Sequence, residues 1–436
     1  MNYGENMKKI NIGMFGIGNI GKGTYQTLEM SKAKIEQSTG MSLEIVKILN
    51  RHPEIDRGID IPKEKYVTDA YDIINDPDID IVIELIGGIE PATTYMADAL
   101  KAGKHVVTAN KAAIAVNGQM LQDLAYKNQL MLRFEASVAG GIPILNAISS
   151  ALISNEFSQV QGILNGTTNY ILTKMTENGT PYEEVLKDAQ RKGFAEADPT
   201  ADVEGIDAAN KLSILISLLF GIGIQPSEIP TKGITTVTSD DIAFAKEFGY
   251  KIKLLATAHN EDGKVTCNVE PTLVSENHPL ANVNNEFNAV YITGNAVDNL
   301  MFYGRGAGPL PTGSAVIGDV VSVARKIEKS AAYDLQPHLR YDSDLEFAGE
   351  GAHHYYIRVH AVDHPGVLGQ IASTLGVYGI GIKTMMQQAG DNTGGTVPMI
   401  FIVYDIDKGI LSTALEVLLK NGSVSSIDNV LRVLKS

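Results

Sequence analysis

The chain has 436 residues, 44% of them hydrophobic and 20% charged, a length that allows two or three globular domains. Its net charge of −15 argues against nucleic acid or an anionic membrane as a partner, because both attract basic surfaces. The single cysteine, Cys267, excludes an intrachain disulfide. The first residues lack the pattern of a signal peptide and no apolar stretch is long enough to span a bilayer, so we expect a cytoplasmic protein.

A glycine-rich turn lies between the apolar residues 10–15 and a predicted helix at 22–30. The turn reads Gly16-Ile17-Gly18-Asn19-Ile20-Gly21. This spacing between a strand and a helix is typical of a dinucleotide site, where the glycines permit a tight turn and a close approach to the pyrophosphate. The alternative is a glycine-rich loop that binds no ligand.

The first third of the chain alternates strands and helices. Further strands are predicted at 43–49, 79–86, 104–108 and 131–134. Strands separated by helices indicate a parallel sheet, so we predict a Rossmann-type doubly wound domain over residues 1–136, completed by the segment 305–330.

Residues 137–330 are predicted to form an α+β substrate-binding and dimerisation domain. Helices are expected at 146–154, 181–191, 205–220 and 314–328, strands at 252–259, 264–270 and 289–293, and a loop at 164–170. The pair Asp262-Gly263 suits a hairpin between the first two strands. Residues 331–352 are interpreted as a linker, and 353–436 follow the order βαββαβ of a ferredoxin-like domain.

The residues after the second strand bear on cofactor choice. NAD-binding Rossmann units usually carry an acidic residue there, whereas this strand is followed by Asn50 and Arg51. An arginine can pair with a 2′-phosphate, which favours NADP over NAD. A solvated loop arginine is the alternative.

Three residues are candidates for proton chemistry. Asp207 and Lys211 are four residues apart on one face of the predicted helix 205–220, and that face continues into apolar residues. Burial there would lower the pKa of the lysine, although an exposed ion pair has the same spacing. Lys111 follows a parallel strand at the edge where ligands bind in such sheets, or is simply exposed at the start of a helix. Cys267 alternates within a predicted strand, so we do not expect a thiol nucleophile.

Several motifs of the chain occur together, namely the glycine-rich turn, Thr108-Ala109-Asn110-Lys111, residues 135–143, 165–170 and 196–211, and Gly306-Ala307-Gly308 followed by Pro311-Thr312. By these motifs, nearly the whole chain resembles homoserine dehydrogenase with a C-terminal ACT domain. The resemblance implies reversible hydride transfer between L-aspartate 4-semialdehyde and L-homoserine, in threonine and methionine biosynthesis.

The resemblance also implies roles for individual residues. Lys211 and Lys111 match the proton-transfer lysines, and Glu196 and Asp207 match acids that hold the substrate, with Glu196 at its α-ammonium group. The implied cofactor-binding residues are Gly16, Gly18, Asn19, Ile20, Gly21, Arg51, Thr108, Lys111 and Gly308. A sodium site is implied at Glu135 and the backbone carbonyls of Val138, Gly140 and Ile142.

The ACT resemblance implies an amino-acid effector, threonine, bound between paired copies of the domain. The implied effector residues are Asp363, Pro365, Gly366, Val367 and Leu368. A cut after about Ala352 should then remove regulation and leave catalysis. An ACT unit that only pairs subunits is the alternative, and a homodimer or homotetramer is expected.

Two other functions compete with this one. The chain could be an amino-acid sensor built on an inactive dehydrogenase body, but Lys111, Glu196, Asp207 and Lys211 are all retained. It could also be a Rossmann reductase that acts on another small amino acid or aldehyde.

Overall fold

The computed structural model describes residues 7–329, 339, 344–388 and 395–435. Most of the predicted linker at 331–352 therefore lies outside the described residues. None of the helices in the described ranges combines the length and the apolar character that crossing a bilayer requires.

The first unit contains a six-stranded parallel sheet in the order β3-β2-β1-β4-β5-β6. Its strands are β1 (Lys8–Phe15), β2 (Met41–Leu49), β3 (Tyr66–Val67), β4 (Ile81–Glu84), β5 (His105–Thr108) and β6 (Leu132–Arg133). Its helices are α1 (Asn19–Thr39), α2 (Tyr71–Ile74), α3 (Ala92–Lys101) and α4 (Lys111–Lys127). The predicted Rossmann-type sheet is confirmed, and the order of its strands reverses between β1 and β4, where ligands bind in this fold.

The sheet is buried on both faces because successive residues of its strands point to opposite sides and both sides carry apolar side chains. Ile12 and Met14 belong to a core that also contains Val316 and Val320, whereas Phe15 packs into the core of the opposite face. The helix carrying those two valines therefore covers one face of the first sheet, although it follows the middle unit in sequence.

The middle unit lies on a second, mixed sheet. Its strands are β7 (Phe157–Ile163), β8 (Tyr250–Glu261), β9 (Lys264–Ser275), β10 (Phe287–Gly294), β11 (Asp298–Arg305) and the short β12 (Glu346–Phe347). Its helices are α5 (Ile144–Asn146), α6 (Gly166–Asn178), α7 (Tyr182–Arg191), α8 (Thr200–Val203), α9 (Ile206–Phe220) and α10 (Ser239–Glu247), and a π-helical turn (Ala147–Ala151) follows α5. The helix that follows this unit and covers the first sheet is α11 (Pro309–Lys329).

Two expectations for the middle unit have clear outcomes. The hairpin between β8 and β9 is confirmed, with Asp262 at φ 51° and Gly263 at φ 82°. The predicted loop at 164–170 is wrong from Gly166 onwards, because α6 begins there and the Asn165 side chain caps it by accepting from the Thr168 N–H. This cap satisfies a free helical donor and stabilises a helix start in a segment rich in threonine.

The last elements of the chain are β13 (His353–Val362), α12 (Val367–Val377), β14 (Ile382–Gln387), β15 (Thr396–Ile406), α13 (Lys408–Lys420) and β16 (Val424–Val433). Their strands lie in the order β16-β13-β15-β14. β16 also pairs in parallel with β9, through Arg432 opposite Thr272 and Val433 opposite Leu273. The second sheet is therefore continuous over ten strands and joins the end of the chain to the middle unit.

Candidate active site

The glycine-rich turn lies where β1 ends and α1 begins, at the point where the strand order reverses. Gly16 has φ 97°, a conformation that other residues rarely adopt, and a Cβ on Gly21 would collide with the Gly16 carbonyl. Gly18 has open space around it, and Asn19 and Ile20 form the first turn of α1. No acidic side chain lies in that first turn, so the positive end of the helix is available to a phosphate.

The structure brings Lys111, Asp207 and Lys211 together. Lys211 Nζ lies 2.7 Å from Asp207 Oδ2, and Lys111 Nζ lies 2.6 Å from Asp207 Oδ1. One carboxylate therefore holds two amines, one from the first residue of α4 and one from the interior of α9.

The burial of these groups decides between the two interpretations of the Asp207–Lys211 spacing. The exposed fractions are 5% for Asp207 and 7% for Lys211, so this is not an ordinary surface ion pair. The Lys211 amine also donates to the Leu164 carbonyl at 2.6 Å. The Lys111 side chain is 43% exposed, so its amine reaches the carboxylate from the open side of the site.

The two lysines differ in their tendency to release a proton. Burial lowers the pKa of Lys211 below its ordinary value, despite the nearby Asp207 carboxylate. Burial also acts to lower the pKa of Lys111, but attraction by Asp207 outweighs it and raises this pKa. Burial would raise the pKa of Asp207, yet the two ammonium groups hold it well below its usual range. Lys211 is therefore the amine better suited to exchange a proton, and Lys111 the one better suited to remain charged.

Two polar residues of the site were not among the sequence candidates. Asn165 donates through its amide nitrogen to Asp202 at 2.7 Å and to Asp207 at 2.9 Å. Burial raises the pKa of the Asp202 carboxyl, and the charge of Asp207 adds to this effect. Asp202 could have been found from the sequence, since it lies among the acids that precede Asp207.

The remaining predicted substrate residue, Glu196, is exposed on the segment between α7 and α8. The Gln190 amide donates to the Glu196 carbonyl at 3.0 Å and helps to position this segment. The Glu196 charge is the last of the causes that raise the pKa of Lys111, after the charges of Asp207 and Asp202.

The end of β2 carries more donors than the sequence indicated. Arg51 is exposed, as expected for a ligand-binding or solvated arginine. Arg57 also reaches this place, donating to the Asn50 side-chain oxygen at 3.4 Å. Within the described part of the chain, Arg57 Nε and Asn50 Nδ2 are buried donors that have no acceptor. Arg57 was missed because seven residues separate it from the end of β2, and only the folded loop brings it back to this place.

The other predicted cofactor residues lie around the same crevice. Thr108 ends β5 and is buried, and Asn110 caps α4 by accepting from the Ala113 N–H, which places Lys111 at the helix start. Gly308, at φ 121°, precedes α11, and its carbonyl accepts from the Thr312 N–H. The next residue, Pro309, lies directly against Gly23 of α1.

The predicted sodium residues form a buried turn before α5. The Glu135 carboxylate accepts from the N–H groups of Leu145 and Asn146 at 2.9 and 2.7 Å. Burial, together with the nearby Asp319 carboxylate, raises the pKa of Glu135 to about 8. No group of three or more histidine, cysteine, aspartate or glutamate side chains suited to a metal ion occurs in the described ranges.

The predicted effector residues lie between β13 and α12. Asp363 is partly buried and its N–H donates to the Gly395 carbonyl, whereas Pro365 and Gly366 are exposed. Val367 is buried and Leu368 is 38% exposed at the start of α12.

Comparisons with known proteins agree with this geometry. Residues 143–321 match the family model described as homoserine dehydrogenase, and residues 16–135 match the model of the homoserine dehydrogenase NAD-binding domain. A homoserine dehydrogenase of Bacillus subtilis is 42% identical over 381 residues, covering 87% of this chain and 88% of that protein. The chain belongs to the homoserine dehydrogenase family. It is therefore an NAD(P)-dependent oxidoreductase.

Solved structures show the same relationship. A homoserine dehydrogenase from Thiobacillus denitrificans superposes with a TM-score of 0.90 at 36% identity, over 98% of this chain and 99% of that chain. A hyperthermophilic archaeal homoserine dehydrogenase in complex with NADPH gives 0.62 at 26% identity, over 73% of this chain and 98% of that chain.

Proposed function

We propose that this enzyme transfers hydride reversibly between L-aspartate 4-semialdehyde and L-homoserine, in the aspartate-derived route to threonine and methionine. The observation that carries the proposal is the buried Asp207 carboxylate, which holds Lys111 and Lys211 at 2.6 and 2.7 Å beside the dinucleotide crevice. Two amines converging on one point suit a substrate oxygen that gains negative charge during reduction.

The two amines have separate parts in this reaction. A bound nicotinamide would supply the hydride. Lys211 donates a proton to the oxygen that becomes the homoserine hydroxyl, because its pKa is lowered by burial. Lys111 remains an ammonium and stabilises the developing alkoxide, because Asp207 raises its pKa. In the oxidation direction, neutral Lys211 accepts the hydroxyl proton.

The acids around this point suit the other end of the substrate. An α-ammonium group needs anionic acceptors, and Glu196 is an exposed carboxylate whose charge acts on Lys111. Asp202, held by Asn165, is a second candidate. We propose that Glu196 binds the α-ammonium group and that Asp207 orients the two amines and the substrate.

Replacing Lys211 by alanine tests the reaction. We expect kcat for homoserine oxidation to fall by about a hundredfold or more, because the proton acceptor is lost. The wild-type kcat should rise with pH as the Lys211 amine loses its proton, and it should level off at a lower pH than an ordinary lysine would allow, because burial lowers the pKa of Lys211. Lys211→Ala should lose this dependence.

A matched control uses the exposed pair Glu416–Lys420, which has the same i,i+4 spacing on α13. Lys420→Ala should leave kcat within a factor of about two, because exposed pairs contribute little. Near-normal turnover by Lys211→Ala would contradict the assigned role. Absence of homoserine-dependent reduction of either nucleotide by the wild type would contradict the function.

We further propose NADP as the preferred cofactor, with NAD tolerated. The residues of the crevice fit a dinucleotide, because Gly18 leaves open space beside the free end of α1. Arg57 and Asn50 each carry a buried donor with no acceptor among the described residues, and together with exposed Arg51 they suit a 2′-phosphate. The NADPH complex of the archaeal relative agrees with this preference.

The cofactor preference is tested with Arg57→Ala. We expect KM for NADP to rise about tenfold, because a charge-assisted contact to the 2′-phosphate is lost. KM for NAD, which lacks that phosphate, is the internal control and should change by less than about twofold. An equal increase for both nucleotides would instead indicate that Arg57 only supports the loop.

The last six elements are proposed to form an ACT domain, and threonine is proposed as its effector. The order β16-β13-β15-β14 and the alternation βαββαβ support a ferredoxin-like unit. The loop at Asp363–Leu368 is open to solvent at Pro365 and Gly366, which suits a small ligand.

Two smaller proposals concern sodium and assembly. The carbonyls of Val138, Gly140 and Ile142 are hard oxygen donors that fit a sodium ion. The Glu135 carboxylate already accepts two N–H groups but retains further lone pairs. A homodimer or homotetramer is supported by β11, an edge strand with Met301 40% and Tyr303 53% exposed.

A further inference from the structure

A buried carboxylate that the proposed reaction does not use lies at the end of β4. Glu84 has no exposed surface. Its Oε1 accepts from the Ile86 N–H at 2.7 Å and the Gly87 N–H at 3.3 Å, and its Oε2 accepts from the Thr108 hydroxyl at 2.7 Å. The Thr108 hydroxyl oxygen in turn accepts from the Asn110 N–H, so its proton is free for Glu84.

These partners are all neutral donors. No lysine, arginine or histidine in the described ranges lies within ion-pair distance of Glu84. Burial raises the pKa of this carboxyl, while the donors oppose that increase. Three donors directed at two oxygens match the ionised form, which only accepts. In its ionised form, Glu84 would be a buried negative charge with no cationic partner among the described residues.

The position of this charge is defined by strand register. Glu84 lies opposite Phe15 of β1 on one side and opposite Thr108 of β5 on the other. The glycine-rich turn follows Phe15, and Lys111 follows Thr108 after two residues. Glu84 therefore lies between the turn suited to the pyrophosphate and the amines suited to the substrate, where the strand order reverses.

We propose that Glu84 is a positioning residue that favours the oxidised cofactor over the reduced one. The nicotinamide ring carries a positive charge when oxidised and none when reduced, so a nearby uncompensated carboxylate stabilises the oxidised form. Glu84 also orders the loops at Ile86–Gly87 and Thr108–Asn110, which flank the crevice. This inference rests on the proposed dinucleotide site.

The test compares the dissociation constants of NADP+ and NADPH for the free enzyme, measured by calorimetry and by NADPH fluorescence. In Glu84→Gln the side chain keeps its size and loses its charge. We expect the ratio of Kd for NADP+ to Kd for NADPH to rise about tenfold over the wild-type ratio, in line with removal of one nearby charge.

Thr108→Val is the matched control. It removes one donor to Glu84 and leaves the charge, so both dissociation constants should rise together and their ratio should stay within about twofold. A purely structural role predicts the same behaviour for Glu84→Gln, and an unchanged ratio in that variant would overturn the proposal.

Glu84→Asp is the second variant if Glu84→Gln does not fold. It keeps the charge on a shorter side chain, so the wild-type ratio should persist while both constants rise. A tenfold change in the ratio for Glu84→Asp would overturn the proposal. If the wild type binds neither nucleotide, the proposed dinucleotide site is contradicted. That result differs from nucleotide binding with an unchanged ratio of the two dissociation constants in Glu84→Gln, which contradicts only the role of Glu84.

Discussion

Asn165 connects the start of α6 with the acids of the site. Its oxygen accepts from the Thr168 N–H and hydroxyl, and its nitrogen donates to Asp202 and Asp207. The residue that begins the helix therefore also fixes the carboxylate that holds both amines. A capping residue near an active site thus affects both stability and the geometry of the reactive groups.

Replacing Asn165 by alanine should reveal both effects. We expect the free energy of unfolding in urea to fall by about 1 kcal/mol, the usual contribution of a cap. We also expect kcat/KM for homoserine to fall about tenfold or more, because Asp202 and Asp207 lose a shared donor.

Asp407→Ala separates these effects, because Asp407 caps α13 by accepting from Gly409 and Ile410. It should lower stability by a similar amount and leave kcat/KM unchanged. If Asn165→Ala and Asp407→Ala had the same kcat/KM for homoserine, Asn165 would act only as a helix cap.

The contact between the last unit and the middle unit involves β13 and β16 of the last unit and β9 and α10 of the middle unit. Asp241 of α10 is fully buried and accepts from Arg358 Nε at 2.7 Å, Asn429 Nδ2 at 2.8 Å and the Tyr356 hydroxyl at 3.2 Å. Lys232 donates to the Val430 carbonyl at 2.9 Å. A cut after about Ala352 would remove all these partners and expose one edge of β9, so the structure argues against the expectation that catalysis survives it.

Arg358→Met tests this junction without a truncation. It should lower the free energy of unfolding by about 3 kcal/mol, because Asp241 would remain buried without its cation. Urea denaturation measures the change.

The exposed pair Lys408–Glu350 provides the comparison. Lys408→Met should lower the free energy of unfolding by less than about 1 kcal/mol, as is usual for surface ion pairs. If Arg358→Met lowered the free energy of unfolding by a similarly small amount, the junction would tolerate Asp241 without its cation.

At the scale of the molecule, one segment connects the last unit with the site. The Asn429 amide of β16 donates to the Thr236 carbonyl, and the Ile234 N–H donates to the Val203 carbonyl. Val203 ends α8, directly after Asp202. Residues 230–236 therefore contact both β16 and the end of α8, next to the acids of the site.

The proposed threonine effect is tested on the full chain. We expect threonine to change the rate of homoserine oxidation in the wild type and to have at least a tenfold weaker effect in Asp363→Ala. Activity without threonine should be similar in both, because Asp363 lies on the effector loop.

Glu416→Gln, on the exposed face of α13, should keep the wild-type threonine response. A flat threonine titration of the wild type would remove the feedback proposal. An unaltered response in Asp363→Ala would place the effector elsewhere.

Local patterns in the sequence were sufficient for several features. The spacing of Gly16, Gly18 and Gly21 predicted the turn between β1 and α1, and the i,i+4 spacing of Asp207 and Lys211 predicted their shared helix face. These signals are local because backbone conformation and helix periodicity depend on neighbouring residues.

Other features depend on residues far apart in the chain. The distance from Lys111 to Asp207, the return of Arg57 to the end of β2 and the pairing of β16 with β9 follow only from tertiary packing. The sequence by itself determined the dinucleotide fold and the family, because short-range spacing encodes them, and it named the side chains that we propose to be reactive. Only the tertiary structure decided that one buried carboxylate holds both amines and that the last unit continues the second sheet, because burial and strand partners arise from the whole fold.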